Sequence, residues 1–161
     1  MFSRTEILSE KKLAGYSMHM SFAANKTVEL WTRFMPKVKQ LNLPANTNLY
    51  SLEVYTDTAF FSNFDPNRTF KKWAAIEAND IEDIPNDFQT LILPTGMYAI
   101  FIHKGPAAEG YKTYDYIFKS WLPQSNYLLD DRPHFALMGS TYKNNDPDSE
   151  EEIWIPVRER N

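Results

Sequence analysis

The spacing of hydrophobic and polar positions changes period several times along the chain, and each change marks an element. From Lys12 to Phe22 apolar and polar residues alternate through Tyr16, Met18 and Met20, the period of a β-strand. After Asn25 the period switches. Val28, Trp31, Phe34, Met35 and Val38 recur at helical spacing, with Asn25 as N-cap and Glu29 in the first turn, where the helix dipole favours a carboxylate. Pro36 removes the bond to the Thr32 carbonyl, so a kink or an end is expected there. Leu43 to Asn48 reads as a loop, Leu49 to Tyr55 as a strand, Thr56 to Thr69 as an irregular connection, and Lys71 to Ala78 as a strand around Trp73.

Asn79 to Gln89 carries Asp80, Glu82, Asp83 and Asp87 around Pro85 and reads as an acidic linker at the midpoint. Thr90 to Leu93 leads into a turn at Pro94-Thr-Gly96, and Met97 to His103 is the clearest strand in the chain. A loop from Lys104 to Gly110 precedes a helix with Tyr114, Ile117, Phe118, Trp121 and Leu122 on one face, ended by Pro123. A strand from His134 to Tyr142, an acidic loop from Asp146 to Glu150 and a final strand complete the order.

That order is β-α-β-β, given twice. The residues repeat as well: Trp31-x-x-Phe34-Met35-Pro36 and Phe118-x-x-Trp121-Leu122-Pro123 share one pattern, 87 positions apart. The expectation is a single α+β domain over residues 1–161, a duplicated βαββ with half-repeats of roughly 5–80 and 88–158. Two helices on an antiparallel sheet would then flank a central groove, with the final strand in its floor, and such interfaces favour ligand sites.

Composition narrows the function. With 161 residues, 43% hydrophobic and 15% aromatic, there is material for one sizeable core and for an aromatic-lined surface. A formal net charge of -4 and the lack of a basic, aromatic-interleaved block argue against direct nucleic-acid binding. The chain has no cysteine, which removes disulfides, thiolate nucleophiles and zinc-thiolate sites. Nothing approaches the ~18 consecutive apolar residues of a membrane span, and the charged start has no apolar leader core. A soluble, cytoplasmic protein is the plain expectation.

The chemistry concentrates in the final strand. Period two puts Glu152, Trp154 and Pro156 on one face, and Glu151, Ile153, Ile155 and Val157 on the other. A carboxylate in a strand is costly to bury without a partner. Glu152 beside Trp154 therefore either meets water at the strand's start or meets a ligand, and a lipophilic cation suits the pair through Coulomb and cation–π attraction. The aromatics Trp31, Phe34, Tyr114, Phe118 and Trp121, at helical spacing, read first as core packing, although one edge of each stripe can pack while the other lines the groove, and Trp73 is similarly ambiguous. His19, His103 and His134 have no metal-ligand spacing, and the Asp146–Glu152 run lacks the central glycine and twelve-residue spacing of a calcium loop. No metal or cofactor is expected.

Several stretches resemble one family: Leu93-Pro-Thr-Gly-Met-Tyr-Ala-Ile-Phe-Ile-His-Lys-Gly-Pro-Ala107, Phe118-Lys-Ser-Trp-Leu-Pro123, Arg132-Pro-His-Phe135 and Asp146 to Val157. Phe34-Met-Pro36 and Trp73-Ala-Ala-Ile-Glu77 fit it too. They resemble the GyrI-like effector-binding domains of AraC-type and MerR-type multidrug regulators, which also occur as free-standing proteins. The resemblance implies an SHS2-like duplicated βαββ fold and a groove for small, often aromatic and cationic molecules. It maps the family's floor carboxylate onto Glu152, or onto Glu151 if the mapping shifts by one. With the first strand beginning about a dozen residues in, no helix-turn-helix domain fits upstream, so the expected role is that of a stand-alone binder.

Three functions follow as expectations. The first is sensing or sequestration of a lipophilic, cationic small molecule, with Glu152 for charge and Trp31, Phe34, Trp73, Tyr114, Phe118, Trp121 and Trp154 as walls. The second is a hydrolase of reactive cyclopropane-type compounds, with Glu152 as general base and Tyr114 or Tyr98 as donor. The third is a protein-interaction module such as a gyrase inhibitor. A protein partner or a homodimer is compatible with all three.

Overall fold

The computed structural model describes residues 1–139, 142–143 and 146–160. It is an α+β arrangement of one antiparallel sheet and two main helices. Among the described residues the sheet has nine strands: β1 (Phe2–Leu8), β2 (Lys11–Met20), β3 (Leu49–Val54), β4 (Phe70–Glu77), β5 (Gln89–Leu93), β6 (Gly96–Lys104), β7 (Tyr127–Leu129), β8 (His134–Met138) and β9 (Glu150–Glu159). Their order across the sheet is β1-β6-β9-β8-β3-β4-β2-β5, with β7 added to the end of β9. The strand before β2 thus pairs with β6, and the strand before β6 pairs with β2.

Helix α1 (Thr27–Gln40) runs through Pro36 and ends at Leu41, so the proline neither stops it nor shortens it. Asn25 acts one residue earlier than expected: its side chain accepts from the Thr27 N–H, and Lys26 occupies the cap position. The second helix is α2 (Gly110–Tyr116), followed without a break by a π-helical stretch, Ile117–Trp121, and a last turn, α3 (Leu122–Gln124). Pro123 sits in that last turn, just past the extra residue that a π-bulge inserts.

Period two sorts the side chains cleanly. Ala14, Tyr16, Ala74 and Ile76 face α1 and pack on Leu30 and Phe34, both fully buried. Ala99, Phe101, Ile153, Ile155 and Val157 face the second helix and pack on Ile117. The alternate residues point the other way, to a face that no helix covers, yet Leu13, Leu52, Tyr98 and Ile100 there are fully buried or nearly so. Leu8 on β1 and Leu93 on β5, near the two ends of the strand path, lie in this one cluster, so the sheet rolls over its own inner face. Gly15 permits the tight approach this needs, because a Cβ there would run into the Ala74 carbonyl oxygen.

Several boundaries differ from expectation. β1 was not anticipated because its residues alternate without an apolar face and only Leu8 is buried. β5 uses Thr90 to Leu93 as a strand rather than a lead-in to a turn, and β7 is only three residues long. The strand expected over His134 to Tyr142 ends at Met138; Ser140 and Thr141 lie outside the described residues. The acidic linker is not loose, since Ile81 and Phe88 from it are buried against α1's core.

Candidate functional site

The two helices cover the flanks of the sheet. The middle of the strand path, where β8 meets β3 and β3 meets β4, carries neither of them. On the helix side of this seam lies a cavity of about 830 Å³. Its floor is Glu53 and Tyr55 from β3 and its extension, with Phe70 and Lys72 from β4. One wall is the second helix, through Tyr114 and Phe118; the other is the irregular connection, through Phe61 and Phe64, with Phe22 from the segment after β2 and Thr27 at the start of α1. Phe61 and Phe118, one from each wall, stack directly on one another with centroids 4.4 Å apart, so the two walls meet there. Offset-stacked rings of this kind are worth about 0.5–1.5 kcal/mol beyond their buried area.

The floor is charged but balanced. Glu53 and Lys72 are register partners on β3 and β4, and Lys72 Nζ donates to Glu53 Oε2 at 2.6 Å. The two side chains are only 14% and 7% exposed, and removing one member of such a pair typically costs about 3–5 kcal/mol. Burial, and then the nearby Glu53 charge, push the Tyr55 and Tyr114 hydroxyls well above the usual phenol range, so both remain donors. His134, paired in register with Glu53 and packed edge-on to Tyr55, is pushed down to about 3 by burial and by Arg132, which keeps it neutral.

Beside the seam, the Glu151 carboxyl is pushed up by burial and by Glu53, against the opposing pull of His103 and Lys72. His103 is its register partner on β6. The His103 Nε2 lies 2.9 Å from the Pro106 carbonyl, an acceptor only, so that nitrogen carries the proton, while Nδ1 meets the Thr113 hydroxyl at 2.8 Å. Gly110 opens α2 close to Glu151, with the position of an added Cβ 4.0 Å from its Oε1.

Of the residues singled out from sequence, Tyr114 and Phe118 enter the cavity. The others go elsewhere. Glu152 faces away from it: its carboxylate accepts from Trp154 Nε1 at 3.0 Å and from Arg4 at 3.3 Å, at a separate recess of about 280 Å³ shared with Asn48, Ile102 and Leu137. Trp154 stacks on Phe135 at 5.1 Å and, with Trp73, belongs to the rolled inner face. Tyr98 is there too, fully buried, its hydroxyl donating to the Pro133 carbonyl at 2.8 Å. Phe34 is core under α1, with Trp31 edge-on against it, and Trp121 packs between Phe2 and Phe101. Period two placed Glu152 and Trp154 on one face correctly; that face is the one the sheet rolls inward.

Glu53, Lys72, Tyr55 and Phe61 were not singled out from sequence. A signal existed for two of them, Glu53 and Phe61. Glu53 is a carboxylate between Leu52 and Val54 inside a strand, the same costly placement that drew attention to Glu152. Phe60, Phe61 and Phe64 make the connection between β3 and β4 too aromatic for a mere solvated loop.

The GyrI-like small molecule binding domain model matches residues 1–158. This chain belongs to that family. No curated protein matches it. Among solved structures, a Staphylococcus aureus MU50 protein assigned to bacterial transcription regulation superposes with a TM-score of 0.69 at 15% identity, over 98% of each chain. SAV2435, solved bound to tetraphenylphosphonium, also gives 0.69 at 15% identity, over 98% of this chain and 94% of its own. A hydrolase from Listeria innocua gives 0.57 at 10% identity, over 96% and 91%. At such identities the likeness carries the fold, which these proteins share with the GyrI-like chain described here. Among its described residues no helix is long and apolar enough to cross a membrane.

Proposed function

We propose that this GyrI-like chain senses or sequesters lipophilic aromatic compounds in the seam cavity. The observation that carries the reading is the cavity itself: about 830 Å³ lined by Tyr55, Phe61, Tyr114 and Phe118 around one buried ion pair. Ligand sites are concave, mostly apolar and furnished with a few placed polar groups. The family and the cationic aromatic ligand of SAV2435 support it. A cationic compound is the form that Glu53 would attract, with the Lys72 ammonium as its competitor, while Glu151 lines the neighbouring recess. The two halves of the chain are read as one βαββ unit duplicated, which the strand order and the 87-position helix pattern support.

Titration with Nile red, a neutral lipophilic dye, tests the location. The double variant Phe61→Ala/Phe118→Ala is expected to weaken binding about tenfold, the sum of two lost ring contacts. Binding as tight as wild type in that variant would remove the cavity from consideration.

A second reading is hydrolysis of a strained, cyclopropane-type electrophile. It is favoured by the upward-shifted Glu151 carboxyl near the Tyr114 hydroxyl, an acid–base pair of suitable chemistry. Turnover lost in Glu151→Gln supports it; no product from a panel of such electrophiles sinks it.

A further inference from the structure

The cavity contains a cation of its own. Glu53 and Lys72 leave neighbouring strands on the same side, as direct register partners, so the sheet itself brings them together. Lys71, the preceding residue in sequence, goes to the other face and lies 5.2 Å from the Trp73 ring centroid. Only one of the tandem lysines therefore enters. At the rim Lys119 pairs with Asp115 at 3.5 Å. The ionisable acids and bases lining the cavity are thus Glu53 and Asp115 against Lys72 and Lys119, with no net charge between them.

An organic cation meets two obstacles here. It must draw Glu53 away from Lys72, stranding an enclosed ammonium, or lie among the rings with no net Coulomb attraction. A neutral molecule meets neither. It gains from the aromatic walls, and an acceptor atom on it finds donors: Lys72 has hydrogens beyond the one used on Glu53, and the Tyr55 and Tyr114 hydroxyls line the same space. Resting on the reading of this cavity as a ligand site, we infer that Lys72 sets its charge specificity. Its ammonium occupies the carboxylate that would otherwise draw a cation, so the cavity takes uncharged aromatic molecules bearing a hydrogen-bond acceptor in preference to organic cations.

Three probes of similar bulk test this by calorimetry: triphenylphosphine oxide (neutral, with an acceptor oxygen), tetraphenylphosphonium and tetraphenylborate. The wild-type chain is expected to bind the phosphine oxide about tenfold or more tightly than the phosphonium. Lys72→Met, which frees Glu53, is expected to raise phosphonium affinity at least about tenfold and reverse the order. Glu53→Gln frees the ammonium instead and is expected to raise tetraphenylborate affinity by about the same factor. The opposite signs of the two variants guard against a general loosening of the fold, and the wild-type comparison stands even if neither variant folds.

Equal or tighter binding of the phosphonium by the wild type overturns the inference. So do variants that fold and leave both charged probes unchanged. Binding of all three probes that is absent from wild type and variants alike defeats the cavity as a ligand site, and the inference with it. Phosphine oxide binding with no charge preference defeats the inference alone.

Discussion

Two faces of the same central strands carry nearly the same chemistry and end up with opposite fates. On the helix side, β3 and β4 present Glu53, Lys72 and Tyr55 to an open cavity. On the other side, Tyr50, Leu52 and Trp73 from the same strands join Tyr98, Phe135 and Trp154 in a closed core. Both faces hold aromatic rings at stacking distance, and both have a carboxylate, Glu53 in the floor of one and the more exposed Glu152 on the other. What separates them is coverage. The helix side has two helices spaced apart, leaving the seam between them unfilled; the other side has none, and the sheet closes over itself. An aromatic-rich face therefore keeps room for a ligand only where neighbouring elements leave a gap above it.

The largest effect that separates the faces is on stability. Trp154→Ala removes a ring that is 6% exposed and stacked on Phe135, and is expected to cost about 3–5 kcal/mol in urea unfolding. Phe118→Ala, at the half-buried wall of the cavity, is expected to cost less than half as much while weakening ligand binding. Equal losses of stability at the two positions would erase the distinction between core and site.

A smaller, pH-dependent effect marks the seam. His134 is 4% exposed, and its folded-state value of about 3 lies below the 6.5 of a free imidazole. Between those values the unfolded chain binds the proton and the folded chain does not, so stability falls as pH drops from 6.5 toward 3. The slope is about 1.4 kcal/mol per pH unit at most, and there is no contribution above that window. His134→Gln should flatten the urea midpoint over this range relative to wild type. An unchanged slope would mean that the imidazole is not enclosed as the seam requires.

The fold was legible where burial leaves a clear mark on the sequence. The amphipathic helix from Thr27 announces itself because one side of it is buried under the sheet, and the strand from Met97 because it is an unbroken apolar run buried on both faces. β1 did not, because an edge strand with mixed residues on both faces has no period to detect. The family-level motifs lay in contiguous residues and were equally readable. The site was less so. Tyr114 and Phe118 share a helical stripe that reads as core, and only half of that stripe is core; which half depends on how far apart the helices sit. Glu53 and Lys72 stand 19 residues apart, and nothing in either strand names the other as its partner until the register of β3 and β4 is known.

The smallest expected effect is the sharpest check on the comparison, because it concerns the carboxylate that sequence alone favours. Glu152 is 28% exposed at the side chain, and its two oxygens are shared between the Trp154 indole and Arg4. An amide keeps an acceptor oxygen for the indole N–H, so Glu152→Gln forfeits only a partly exposed ion pair. That pair is worth about 0–1 kcal/mol once solvent screening is allowed for. The urea midpoint should therefore move little, and Nile red affinity should stay at the wild-type level, since the side chain lies on the far face of the sheet from the cavity. Loss of dye binding in Glu152→Gln, with Phe61→Ala/Phe118→Ala unaffected, would move the site to the Glu152 recess and reverse the roles of the two faces.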